Sequence, residues 1–307
     1  MGHLISASAP GRCGILGNPS DIYGGQVLSC SIPARNTCHL TFGVESRLPE
    51  DLKLWDAATA RFPLHEPVAV EWICEVPRSS GLAGSTALLA ATLACVRARL
   101  ELPGLESREM GELVRDLERH EAGVMCGYQD AQMVVHGGLQ FMDFAGKHPV
   151  EPGPLPTLTA LHPSPLLDNL LLVTTGVERL SGSVHGPMSE RWLQGEPLVV
   201  DVIPKISALA QVGVMALASR DRAMLAEAMN ENQRRIVELG GSGEAIDHLI
   251  SRCMAHGAWA AKLAGAGMGG TIIAFTEDVN ALERNLREEG YARFMRPGIY
   301  SGLVLHG

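Results

Sequence analysis

The seven cysteines of this chain include no Cys-x-x-Cys pair and fall at scattered positions. An odd, scattered set offers neither a disulfide framework nor a zinc-ligand spacing, so reduced thiols and a cytoplasmic location are expected. Positive charge is also scarce. Lys and Arg number 25 against 34 Asp and Glu, a formal net charge of −9. That balance argues against binding nucleic acid through its phosphates, though a local cationic pocket could still hold an anionic ligand. The opening residues, Met1-Gly2-His3-Leu4-Ile5-Ser6, show no basic stretch followed by an apolar one, so no export signal is expected. No uninterrupted apolar run approaches the roughly 20 residues of a membrane helix; Leu88–Val96 falls far short. Repeats and low-complexity tracts are absent as well. What remains is 307 residues, 46% apolar and 19% charged, enough for a large core and about two domains. The expected partner is a small molecule; oligomeric state is not legible.

One stretch organises the rest. Val76-Pro77-Arg78-Ser79-Ser80-Gly81-Leu82-Ala83-Gly84-Ser85-Thr86-Ala87 is a Gly/Ser loop that feeds into the small, apolar run Leu88–Val96, a buried helix. Free N–H groups and the positive end of the helix dipole meet at such a junction and form an anion site. Gly81 and Gly84 let a phosphate approach the backbone, and Ser85 and Thr86 bring hydroxyls for a cap or a metal. The loop is not a Walker A loop, because no Gly-Lys-Ser/Thr follows at the required spacing. Taken alone, a plain N-capped loop accounts for it equally well.

Around it the chain reads as α+β. Residues 3–44 suggest strands, broken by the turn-rich loop Asn18-Pro19-Ser20-Asp21-Ile22-Tyr23-Gly24-Gly25. Val68–Val76 is a strand leading into the phosphate-type loop. Residues 108–119 place Met110, Leu113, Val114 and Leu117 on one helical face. A further helical segment begins at Asp130, for which a simple N-cap role suffices when it is read alone. Five prolines between 145 and 164 mark a domain boundary, giving 1–155 and 156–307. Helices follow over 198–218, 220–239, 245–256 and 277–289, with strands at 167–175, 272–275 and 300–305. Ahead of residue 272, Lys262-Leu-Ala-Gly-Ala-Gly-Met-Gly-Gly-Thr271 packs in more glycine than a turn needs.

Three segments, in order, resemble the motifs of the GHMP kinases, the small-molecule kinases that include galactokinase, mevalonate kinase and homoserine kinase. They are Ala9-Pro-Gly-Arg12 through Gly25, Pro77 through Ala87, and Lys262 through Thr271, and they span nearly the whole chain. Within the family the chain resembles glucuronokinase, through Leu16–Gly25, Gly81–Ser85, Gly127-Tyr-Gln-Asp130, Gly137–Asp143 and the 181–193 segment. Asn18-Pro19 stands where galactokinase has Glu-His.

The resemblance implies a two-domain fold: a ribosomal protein S5 domain 2-like N-terminal α+β domain and a ferredoxin-like C-terminal domain, with the site between them. It implies transfer of the ATP γ-phosphate to a sugar hydroxyl, glucuronate to glucuronate 1-phosphate, with ATP and Mg²⁺ as cofactors. Asp130 would be the catalytic carboxylate and Arg12 its partner. Pro77, Ser79, Ser80, Gly81, Leu82, Ala83, Gly84, Ser85 and Thr86 would wrap the nucleotide. Ser85 and Glu118 would hold the metal, with Glu121 the competing acid. Asp21, Asn18, Tyr23, Gly267 and Gly269 would face the acceptor. Lys262 reads as a surface strand cation, and His185 and Arg191 as solvated side chains. The alternatives are a GHMP kinase for another sugar, a cyclitol or an amino-acid-like alcohol, an ATP-driven decarboxylase, and a sugar/ATP-binding regulator without catalysis.

Overall fold

The computed structural model of the chain describes residues 2–77, 79–151, 153–177, 182–265 and 270–306, the side chains of 182–185 excepted. The first half runs β1 (His3–Leu16), β2 (Gln26–Phe42), α1 (Lys53–Thr59), β3 (Val68–Cys74), α2 (Gly84–Arg99), α3 (Ser107–His120), α4 (Tyr128–His136), β4 (Leu139–Asp143) and β5 (Thr157–Ala160). The second half runs β6 (Leu170–Thr174), α5 (Gly182–Leu193), α6 (Pro197–Ser219), α7 (Arg222–Glu238), α8 (Glu244–Ala255), β7 (Ala260–Leu263), β8 (Thr271–Phe275), α9 (Val279–Glu288), β9 (Phe294–Met295) and β10 (Val304–His306).

The first sheet has the order β10-β1-β2-β4-β5, with β3 also paired to β2, and its strand pairs are antiparallel. The sequence suggests two short strands where the structure has the single β2. The register shifts between Pro10 and Arg12, so β2 passes through Pro33 where that residue owes the ladder no N–H. The second sheet has the order β7-β8-β6-β9, again antiparallel. Its chain order is strand, helices, two strands, helix, strand, which is the ferredoxin-like arrangement. The expected boundary at 155/156 cuts across the first sheet, because β5 and β10, both beyond it, hydrogen-bond into that sheet.

α2 is apolar on all sides, and its residues from Thr86 to Val96 are almost all buried, against β1, β2, α1, α3 and α4. The opposite face of the first sheet takes α6. That helix is long and apolar enough to cross a membrane by length and composition. Here it carries Asp201 and Lys205 on its outer side and packs on β1, β2 and α7. At its closest approach a Cβ on Gly213 would lie 2.5 Å from Leu16 and 2.7 Å from Leu28. Leu16, Leu28, Ala210, Met229, Ala260 and Ile273 share one buried cluster. The two halves are therefore joined by a continuous core, with Gly14 of β1 meeting Ala264, and Ser80 and Gly81 ahead of α2 meeting Gly270 and Gly265, beside it.

Candidate active site

α2 starts at Gly84, and among the described residues no side chain caps its first turn. The N–H groups that open the helix are therefore left for a ligand. The loop before it holds two non-glycine residues, Ser79 (φ 52°) and Ala83 (φ 62°), in the left-handed region. Each costs about 1 kcal/mol or more and persists only where the surroundings impose it. The surroundings are close. Asn36 of β2 accepts from Val76 N–H at 3.0 Å and donates to Gly84 O at 2.8 Å, gripping both ends of the loop. A Cβ on Gly265 would lie 2.6 Å from Gly81 O, and one on Gly270 would collide with Ser80 O. These two glycines allow backbone to touch backbone.

The loop carries its hydroxyls in two directions. Ser80 Oγ donates inward to Pro77 O at 2.7 Å. Ser85 Oγ and Thr86 Oγ1 each donate at 2.8 Å to Glu118 of α3, one to each carboxylate oxygen. Glu118 is buried, and burial raises its pKa. Glu121 is exposed and bound to Arg61 at 3.2 Å, away from the loop. Of the two competing acids, Glu118 is the one that meets the helix hydroxyls. A carboxylate beside two hydroxyls is an all-oxygen set that suits a hard cation shared with phosphates. Among the described residues no three His, Cys, Asp or Glu converge on a point, so such a cation would draw its other ligands from the nucleotide and water.

Arg12 crosses from β1 to the mouth of the loop. Its Nε donates to Asp130 Oδ1 at 2.7 Å, and its Nη2 reaches the same oxygen. Nη1 donates to Gly81 O at 2.6 Å and to Ala264 O at 3.4 Å, and the backbone N–H donates to Leu82 O at 3.0 Å. One guanidinium thus touches all three sequence motifs. Asp130 is not the helix cap. α4 opens earlier, at Tyr128, and Asp21 caps it from the first motif by accepting Gln129 N–H at 2.9 Å. Asp130 is left in the first turn, about one quarter exposed, with its second oxygen free for a ligand.

Other expected residues are placed elsewhere. Asn18 is buried. Its Oδ1 accepts from Lys262 at 2.9 Å and its Nδ2 donates to Gly265 O at 2.7 Å, so it ties motif to motif. Tyr23 stacks on Trp192 with ring centroids 4.9 Å apart, inside the apolar core. Leu82 is in the core and takes part in the loop through its carbonyl. Lys262 is fully buried, not on the surface. Arg191 is bound to Glu196 at 2.6 Å and donates to Leu239 O at 2.8 Å. Gly267, Gly269 and the His185 side chain lie outside the described residues.

Arg12, Asp130, Glu118 and the 79–86 loop open into a cavity of about 420 Å³. Its far wall is Asp51, Lys53, Leu54, Trp72 and Cys74. Sequence reasoning misses this wall because it comes from a short helix and an edge strand with ordinary composition. The apolar run Ala-Ala-Lys-Leu-Ala around Lys262 does carry a signal of burial, and Asn36 in the middle of a β-type segment carries a weaker one. A second cavity, about 260 Å³, lies beyond the loop, between Pro77, Ser79 and Ser80 on one side and Thr174, Thr175, Tyr291 and Arg293 on the other.

Comparison with known proteins matches this architecture. A model of the GHMP kinases N terminal domain matches residues 52–138, and one of the GHMP kinases C terminal matches 214–292. Glucuronokinase 1 of Arabidopsis thaliana is 27% identical over 324 residues, covering 91% of this chain and 88% of its own. The D-glycero-alpha-D-manno-heptose 7-phosphate kinase of Campylobacter jejuni is 26% identical over 235 residues, covering 74% and 68%. In fold, Lactococcus lactis galactokinase complexed with galactose superposes with a TM-score of 0.80 at 17% identity, covering 98% of this chain and 95% of that one. With both family models matched in order, together across more than half of its length, the chain belongs to the GHMP kinase family.

Proposed function

We propose that the protein phosphorylates glucuronate at its anomeric hydroxyl, using ATP and Mg²⁺ and releasing glucuronate 1-phosphate and ADP. As a sugar kinase of the GHMP family it is a phosphotransferase with an alcohol acceptor. The choice of acceptor is supported by the relatives named glucuronokinase along nine-tenths of the chain and by the first-motif residues Asn18-Pro19, which differ from those of galactokinase.

The observation that carries the reading is Arg12 against Asp130 at the mouth of the 79–86 loop. In the reaction a sugar oxygen attacks the γ-phosphorus, its O–H proton passes to the free oxygen of Asp130, and the bond to the β-phosphate oxygen breaks. Arg12 holds Asp130 aimed, and its charge offsets the negative charge developing on the transferring group. The open N–H groups of α2 hold the phosphates. Glu118 and Ser85 would hold Mg²⁺, which neutralises phosphate charge when bound. Asp21 fixes α4, whose first turn carries Asp130. Trp72 and Leu54 offer an apolar wall for the adenine ring.

The test is ADP release with Mg-ATP against glucuronate, galacturonate, glucose, galactose, N-acetylhexosamines, heptose 7-phosphate, inositols, homoserine and mevalonate. Turnover confined to glucuronate supports the reading. Turnover on a neutral sugar or cyclitol alone keeps the mechanism and rejects the acceptor. ATP binding without turnover of any acceptor rejects the enzyme in favour of a regulator.

A further inference from the structure

The most deeply buried cation among the described residues is Lys262 of β7, fully shielded from solvent. Strand alternation turns it to the same side as Ala260 and Ala264, into the cluster holding Cys13, Ile15, Cys30 and Ile273. Ala261 and Leu263 face the other way, toward Ile246 and Leu249 of α8. Among the described residues no carboxylate pairs with this ammonium. Its three N–H donors meet three neutral oxygens: Gly14 O at 3.2 Å, Asn18 Oδ1 at 2.9 Å and Leu263 O at 2.5 Å.

Those acceptors are themselves joints. Asn18 donates onward to Gly265 O at 2.7 Å. Gly14 N–H donates to Ala264 O at 2.8 Å, and Ala264 O is also a partner of Arg12 Nη1. An apolar side chain of similar length would fill this volume without the cost of burying an unpaired charge. What the ammonium adds is a three-way tie among backbone segments that lie under the reacting groups.

We propose that Lys262 is a positioning residue for phosphoryl transfer: its ammonium locks the first motif to the third and so holds Arg12 in register with Asp130 and the phosphate loop. The proposal rests on the kinase reading above and adds to it a residue that touches neither substrate.

A pH signature follows. Burial, with Arg12 alongside, brings the Lys262 ammonium down to about 7. The other ionisable groups on that side are the thiols of Cys13 and Cys30, both pushed up by burial and uncharged near neutrality. α7 brings only the amides of Asn232 and Gln233. Between about 7 and the ordinary lysine value of 10.5, the folded chain gives up a proton that the unfolded chain keeps. Stability therefore rises with pH across that window. The neutral amine has one N–H fewer for its three acceptors, so the tie slackens and the rate falls. Rate and stability move in opposite directions.

The experiment compares wild type with Lys262→Met, Lys262→Gln, Lys262→Arg and Asn18→Ala. Displacing Arg12 by a fraction of an ångström to an ångström costs about 100-fold. Lys262→Met and Lys262→Gln are expected to lose that much in kcat, with KM for ATP within about threefold and the melting temperature unchanged or raised. Asn18→Ala keeps the charge but loses one acceptor and the Gly265 tie, so an intermediate loss is expected; it decides the matter if the lysine variants do not fold. Lys262→Arg, which keeps the charge and its donors, is expected to recover part of the lost kcat. The wild-type kcat falls above pH about 7, and Lys262→Gln lacks that limb. Hydrogen exchange, which needs no acceptor sugar, is expected to quicken at residues 10–18 and 260–265 in the variants while α9 stays protected. A Lys262→Gln enzyme within about twofold of wild type, a limb that persists in it, or unchanged exchange at those segments would overturn the proposal. A wild type that turns over no acceptor would instead overturn the kinase reading, and exchange alone would then judge the brace.

Discussion

Glu118, proposed above as a metal ligand, shows how a buried carboxylate burdens its fold. It is buried, and its partners are the two hydroxyls of Ser85 and Thr86 and the Cys126 thiol. Its pKa is raised, so the folded chain holds that proton to higher pH than the unfolded chain does. The linked stability is present below the ordinary value of 4.5 and is lost as pH rises through the raised one. Glu118→Gln removes this loss. It is expected to raise the melting temperature of the ligand-free protein at pH 7 by a few degrees, roughly 1 kcal/mol, while lowering kcat by about 100-fold. Calorimetry and initial rates check the two halves. At the same scale, six of the seven thiols are buried and Cys74 alone is exposed, on the rim of the 420 Å³ cavity. A thiol reagent is expected to label one cysteine quickly in the native protein, and Mg-ATP to slow that labelling. Fast labelling of several thiols, or no protection, would contradict the placement of the nucleotide. The family pattern points to Glu118 with Glu121 as competitor, and spacing alone does not decide between them; the burial of Glu118 against Ser85 and Thr86 separates them.

The element that matters most is the short helix α4, because its first turn presents Asp130. Its start depends on a contact between distant parts of the chain. Asp21 accepts Gln129 N–H, and Gly127 is the residue that lets it approach, since a Cβ there would collide with Asp21 Oδ2. Gly127→Ala is expected to destabilise the protein by about 1–3 kcal/mol and to lower kcat more than KM, because it swings Asp130 away from Arg12. Denaturant melts and steady-state rates test this, and a variant with unchanged kcat would show that α4 is positioned by something else. This cap also explains a limit of the sequence. An aspartate ahead of a helical run resembles its N-cap, and the competing cap, 108 residues away in sequence, leaves no local trace. By contrast, α2, α3 and α7 follow from composition and period alone, because their stability is set by faces that the sequence spells out. α1 and β7, at 7 and 4 residues, are too short for a period to emerge.

At the scale of the whole molecule, the site exists because two halves share one core. β10 returns from the far end of the chain to flank β1, and α6 lies across β1 and β2 with Gly213 at the crossing. Gly213→Val would wedge that crossing open. Its expected cost is about 1–3 kcal/mol in a urea melt, with a loss of activity that follows unfolding rather than preceding it. The fold was legible because three glycine-rich motifs keep their order. The domain cut was less so, since strand pairing across a proline-rich segment is a tertiary choice. The central claim is that Arg12 and Asp130 transfer a phosphoryl group to a sugar hydroxyl, and it is tested most directly by ADP release from Mg-ATP and glucuronate with wild type and Asp130→Asn side by side. The expected result is turnover by wild type, about 10²–10⁴-fold slower in the variant with KM for ATP unchanged. Equal rates in the two proteins would contradict it.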